Sequence, residues 1–99
     1  MGTRENNVEN YLLKEMKRIG GLSYKWTSPG KRGVPDRINI YKGNIYLVEV
    51  KTKDGEASSS QLRVAKHIFN QGVFVYFLDS HEKVNWFIRT LERINNADS

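Results

Sequence analysis

The feature that most limits the fold is a pair of short alternating runs, Pro35–Tyr41 and Ile45–Lys51, with a tight turn near Gly43-Asn44. Both are rich in Ile, Val and Tyr, so both read as strands of one hairpin. Side chains alternate along a strand, so Asp36, Ile38 and Ile40 share one face of the first. Ile45, Leu47, Glu49 and Lys51 share one face of the second. Gly-Asn is a favoured two-residue hairpin loop, with Gly supplying a positive φ. That loop would set Ile40 opposite Leu47, Ile38 opposite Glu49 and Asp36 opposite Lys51. Asp36 and Glu49 then become diagonal neighbours on one face, with Cβ atoms roughly 7 Å apart or a little less. A three-residue loop would turn Glu49 to the other face, so the turn decides whether the acids meet.

Two unpaired carboxylates held this close repel, and one pKa rises unless a cation lies between them. Mg²⁺ suits such a pair, because it takes oxygen ligands at about 2.0–2.1 Å and keeps several waters. A water held there can attack phosphorus while the ion polarises the phosphate. Lys51 on the same face can orient or deprotonate that water, or neutralise charge in the transition state. The hairpin is therefore a candidate site for phosphodiester hydrolysis. A bare Pro-Asp followed by Glu-x-Lys also suits a strand start and a solvated ion pair, so the motif alone leaves both readings open.

The other elements follow from periodicity. Glu5–Ile19 reads as a helix with Val8, Leu12, Met16 and Ile19 on one stripe beside Tyr11, capped by Thr3 and ended by Gly20-Gly21. Leu22–Trp26 is a short extended piece, with Tyr24 and Trp26 packing on the sheet. Residues 27–33 and 53–57 are loops. Ser58–Asn70 reads as a helix with Leu62, Ala65 and Phe69 on its inner face, stopped by Gly72. Val73–Leu78 is an apolar run, read as a strand covered on both faces. Ser80 caps a last helix whose stripe is Val84, Phe87, Ile88, Leu91 and Ile94, with Trp86 flanking it and a frayed tail from Asn95. The order α-β-β-β-α-β-α is that of an α/β fold, a mixed central sheet flanked by helices.

Ninety-nine residues allow one domain over 1–99. A formal charge of +5 and a pI of about 9.6 favour a polyanionic partner, nucleic acid first. With no cysteine, disulfides, thiolate nucleophiles and cysteine-ligated zinc are excluded. His67 and His81 stand alone and read as surface residues. The polar start and the lack of a long apolar run lead to the expectation of a cytoplasmic protein with no membrane segment. Lys31 and Arg32 lie in a glycine-flanked loop just before Asp36, where amides and cations can hold a phosphate backbone. Ser28 can add a hydrogen bond, and Lys25, Arg37 and Lys53 can extend the patch. Ser58-Ser59-Ser60-Gln61 has the spacing of a capping box, with Gln61 at N3.

The segments GGLSYKWTSPGKRGVPD, GVPDRINI and LVEVKTKDGEASSSQ together resemble the VRR-NUC family, the virus-type replication-repair nucleases of the PD-(D/E)xK superfamily. The resemblance runs from about Glu5 to about Val84, and the length is similar to that of stand-alone phage and bacterial members. It implies a restriction-endonuclease-like core. It implies Mg²⁺ or Mn²⁺ held by Asp36 and Glu49, with the Val50 carbonyl as a further ligand and Lys51 as the catalytic lysine. A first-helix acid that reaches the metal through water falls on Glu9 or on Glu5, with Glu9 preferred. Gln61 matches the family glutamine that helps hold the active site. Stand-alone members resemble homodimeric resolvases, so the resemblance implies a four-way junction as DNA substrate and a homodimer. The expectation is a structure-selective DNA endonuclease, a Holliday-junction resolvase first. A flap- or sequence-specific nuclease, a non-catalytic DNA-binding module and a small domain binding an acidic protein stay open.

Overall fold

The computed structural model describes residues 4–52 and 55–96, with side chains from Asn7 onward. The cap expected at Thr3, the side chain of Glu5, the phosphate contact expected of Lys53 and the last three residues lie outside that set. The order is α1 (Arg4–Arg18), β1 (Leu22–Lys25), β2 (Arg37–Tyr41), β3 (Asn44–Val50), α2 (Ser59–Asn70), β4 (Val75–Leu78) and α3 (His81–Asn96). The four strands form one mixed sheet in the order β1-β2-β3-β4. The first three are antiparallel neighbours, and β4 returns parallel to β3 after the α2 crossover. Among the described residues no helix is long and apolar enough to cross a membrane.

The turn differs by one residue from the expected one. Lys42 and Gly43 are the loop, with φ of 48° and 83°, and Tyr41 pairs with Asn44. Two successive positive φ values make a type I′ turn, whose twist matches that of the flanking strands. Glycine takes this conformation without strain. Lys42 bears a modest cost, and its ammonium is held by Asn96 Oδ1 at 2.7 Å. Moving a two-residue loop by one position shifts the register by two, so every side chain keeps its face. Ile38 now faces Leu47 and Arg37 faces Val48. Continued one step past its last pair, Arg37 with Val48, this register sets Asp36 level with Glu49 rather than diagonal to it, and the two carboxyls interact.

The core lies on one face of the sheet. Val8, Leu12 and Met16 of α1 and Val84, Phe87, Ile88 and Leu91 of α3 pack onto Tyr41, Tyr46, Val48, Val50 and Leu78. These are the expected stripes, except that Ile94 is exposed at the end of α3. Leu47, Glu49 and Val75 alternate with those strand residues and are buried on the opposite face, where α2 packs near β4.

Three packing expectations are corrected by the structure. The inner side of α2 carries Val64, with Gln61, Ala65 and Ile68 half-buried, whereas Leu62 and Phe69 are exposed. Strand β4 is a sheet edge, so Val73 and Phe74 before it are also exposed instead of covered on both faces. Tyr24 points to solvent rather than packing on the sheet, while Trp26 is half-buried. Both histidines lie at the surface as expected, with the His81 ring stacked on Tyr11 at 4.1 Å.

Candidate active site

The site forms where the hairpin ladder runs out. Asp36 immediately precedes Arg37, the first residue of β2, and its Oδ2 accepts the Val50 N–H at 2.9 Å. Its own carbonyl accepts the Trp26 N–H at 2.7 Å, which ties the basic loop to the sheet at both ends. Glu49 projects from β3 on the α2 side and is only 3% exposed. Its Oε2 accepts from Gln61 Nε2 at 2.8 Å and lies 3.5 Å from Lys51 Nζ. Its Oε1 is buried with no hydrogen-bond partner. Burial first, and then the charge of Asp36, push the Glu49 carboxyl up to about 7, with Lys51 pulling the other way.

A buried carboxylate oxygen without a donor is costly, and the charge of Asp36 on the Glu49 carboxyl adds to that cost. A divalent cation supplies what both groups lack, so the residues present fit the metal that the sequence predicts. Among the described residues no group of three or more Asp, Glu, His or Cys side chains converges on one point. The side-chain oxygens that an ion there would find are those of Asp36 and Glu49.

Gln61 serves two purposes with one amide. Ser58 at the N-cap accepts the Gln61 N–H on Oγ at 3.1 Å, and Gln61 Oε1 accepts the Ser58 N–H at 2.9 Å. The Nε2 end is then the one left facing Glu49. The sequence offers a capping box and, by resemblance, a glutamine that helps hold the active site; the bonds to Ser58 and to Glu49 coexist in this residue.

The other expected residues have partners of their own or stand at the surface. Glu9 turns from α1 to Arg37, whose Nη1 donates to it at 2.8 Å. Arg37 is 7% exposed and also donates to the Ser23 side chain and carbonyl at 2.9 and 3.1 Å. The expected DNA contact by Arg37 is thus corrected: its guanidinium lies on the core side of the sheet and joins α1, β1 and β2. A buried charge needs such a full set of partners. Lys31 and Arg32 are exposed on the loop before β2, where the Ser28 carbonyl accepts the Lys31 N–H at 3.2 Å, and Lys25 is exposed on β1.

Gly33 is a feature that motif reading missed. Its φ is +88°, and a Cβ there would lie 2.4 Å from the Ser60 carbonyl oxygen and 3.0 Å from Gln61 N. The basic loop therefore presses backbone to backbone against the first turn of α2. The only sequence signal was a glycine closing a Lys-Arg pair.

A mixed sheet with flanking helices and paired acids at the open end of its hairpin defines a restriction-endonuclease-like nuclease core. The comparisons agree. A solved VRR_NUC domain superposes with a TM-score of 0.83 at 30% identity, covering 89% of this chain and 97% of that domain. A protein of Acyrthosiphon pisum secondary endosymbiont phage 1 named "Putative nuclease p44" is 41% identical over 80 residues, covering 80% of this chain and 86% of the relative. No protein-family model matches the chain. The chain belongs to the VRR-NUC family of nucleases, whose fold implies a divalent metal.

Proposed function

We propose that this nuclease is a Mg²⁺- or Mn²⁺-dependent DNA endonuclease that hydrolyses phosphodiester bonds in branched DNA, with the four-way junction as favoured substrate. The observation that carries the metal and the chemistry is Glu49: buried, opposite Asp36, with Oε2 held by Gln61 and Oε1 left without a donor. Asp36 and Glu49 would hold the ion, with the Val50 carbonyl as a further oxygen. Bound there, the ion supplies Lewis acidity to the scissile phosphate and acidity to a coordinated water.

The chain's own residues do the rest. Lys51, 17% exposed and beside Glu49, places an ammonium where it can orient the attacking water and offset charge on the phosphorane-like transition state. Gln61 keeps Glu49 from turning. Lys31, Arg32 and Ser28 hold backbone phosphates without reading bases, which suits a substrate chosen by shape. Glu9 would contribute from behind the hairpin, through its hold on Arg37, the residue next to Asp36.

A paired cut across a junction needs two sites, and a two-fold homodimer supplies them. What supports a homodimer is the unpaired edge of β4. Phe69, Val73, Phe74 and Trp86 are exposed near it, and Phe74 and Trp86 line an open hollow of about 440 Å³. An apolar sheet edge of this kind calls for a cover.

Labelled four-way junction, flap, nicked and linear duplex DNA, each incubated with Mg²⁺, Mn²⁺ or chelator, test the reading. Metal-dependent paired cuts in the junction, abolished in Lys51→Ala, are expected. Cleavage of flaps or duplex alone would move the substrate, and binding without cleavage in either metal would defeat the enzymatic reading.

A further inference from the structure

The reciprocal cap at the start of α2 bears on chemistry as well as on helix stability. A glutamine amide has two ends of similar size and opposite hydrogen-bonding character. Only the Nε2 end can donate to Glu49 Oε2, and only the Oε1 end can accept the Ser58 N–H. Ser58 Oγ accepts the Gln61 N–H at 3.1 Å, which fixes the distance between the N-cap and N3. At that distance the Ser58 N–H reaches Oε1 at 2.9 Å, and Nε2 reaches Glu49 at 2.8 Å. Without the Oγ acceptor the Gln61 N–H loses its partner and the spacing between the N-cap and N3 is held less tightly, so the amide grips Glu49 less firmly even where the helix itself persists.

We infer that Ser58 is a positioning residue for the reaction, acting through Gln61 to hold Glu49 Oε2 so that Oε1 is the oxygen presented to the metal. The inference rests on the metal-dependent reading above. It gives the N-cap serine of α2, beyond its capping of the helix, a share of the site's geometry. Partners that orient metal ligands typically change metal affinity or activity by 10- to 100-fold when removed.

A second cap provides the control. Ser80 caps α3 through the same kind of bond, accepting the Lys83 N–H on Oγ at 3.1 Å, and has no part in the hydrogen bonds that join Asp36, Gln61 and Glu49 to their partners. Mn²⁺ affinity of the full chain by calorimetry, melting temperature, and kcat and KM on cleaved DNA would be compared across variants. Ser58→Gly is the main variant, because glycine at an N-cap keeps most of the helix stability while lacking Oγ. About 10-fold weaker Mn²⁺ binding and a comparable fall in kcat at unchanged KM are expected for Ser58→Gly and Ser58→Ala. Ser58→Thr, which restores the acceptor, should return both to within about twofold. Ser80→Ala should melt earlier with Mn²⁺ affinity and kcat unchanged. If the Ser58 variants match Ser80→Ala in metal affinity, Ser58 is a cap only and the inference falls, while the nuclease reading stands. If the unaltered protein binds no Mn²⁺ and cuts no DNA, both fall together.

Discussion

Asp36 and Glu49 face each other across the β2–β3 hairpin, and each has one oxygen already engaged by the protein. Asp36 Oδ2 takes the Val50 N–H at 2.9 Å, and Glu49 Oε2 takes the Gln61 amide at 2.8 Å. Glu49 Oε1, buried and undonated, is the electrostatic demand that the protein itself leaves unmet. Most of what the chain can be tested on follows from that pairing.

The first consequence is a pH dependence of the metal-free protein. Glu49 is protonated up to about 7 in the folded chain, against 4.5 for an ordinary glutamate. Below 4.5 both folded and unfolded chains carry the proton. Between 4.5 and about 7 only the folded chain keeps it, so stability falls as pH rises through this window. The loss is on the order of 3 kcal/mol, since each pKa unit corresponds to about 1.4 kcal/mol. Melting curves in chelator from about pH 4.5 to 8 should show wild type losing stability relative to Glu49→Gln. Mn²⁺ should raise the melting temperature more at about pH 8 than at about pH 6, because the ion competes with the proton. Parallel curves for the two proteins would contradict the burial of Glu49.

Gly33→Ala should be costly where Gly30→Ala is not. A methyl at Gly33 meets the Ser60 carbonyl at 2.4 Å on a backbone with φ of +88°, whereas one at Gly30 meets nothing within 4 Å. The left-handed conformation alone costs about 1–2 kcal/mol for a non-glycine residue. The melting temperature should drop by several degrees, and cleavage should fall because the loop can no longer seat on α2. Equal behaviour of the two variants would contradict the packing of the loop on the helix.

Arg37 and Glu9 should behave as one buried unit. Arg37→Ala leaves Glu9 without its partner and should cost about 3 kcal/mol or more. Adding Glu9→Ala should recover part of that loss, which a double-mutant cycle by urea denaturation would read. Weakened DNA binding by Arg37→Ala with stability intact would instead mark a surface residue.

Lys31→Ala and Arg32→Ala should leave the melting temperature unchanged, because both side chains are exposed. Each should weaken binding to every DNA sequence alike. Each should also lessen the slope of log affinity against log salt by about 0.9 for every duplex phosphate that the variant no longer neutralises. Binding titrations at several salt concentrations give that slope directly; an unchanged slope would place the phosphate grip elsewhere.

These outcomes also mark what could be read before the fold was seen. Alternation in 35–51 was enough to put Asp36, Glu49 and Lys51 on one face, because a two-residue loop preserves parity wherever it is centred. It was not enough to centre the loop, since Lys42 at positive φ is a choice that composition disfavours. The stripes of α1 and of α3 up to Leu91 were legible because each helix buries one continuous face in the core on the sheet. The inner face of α2 was not: Leu62 and Phe69 are apolar and correctly spaced, yet the helix turns Gln61 and Val64 inward. Arg37 looked like a phosphate ligand by charge, and only its three bonds to Glu9 and Ser23 show it to be internal. Gln61 was visible as a cap and as a motif residue, but no sequence rule states that one amide can be both.

Titration of Mn²⁺ into the metal-free protein by calorimetry at about pH 8, where Glu49 is ionised, tests the metal site most directly, with Asp36→Asn and Glu49→Gln alongside. Saturable binding by the wild type is expected, lost or weakened by at least about 10-fold in either variant, both of which stay folded. Wild-type binding that survives both substitutions, or no binding at all, would contradict a metal site between these two carboxylates.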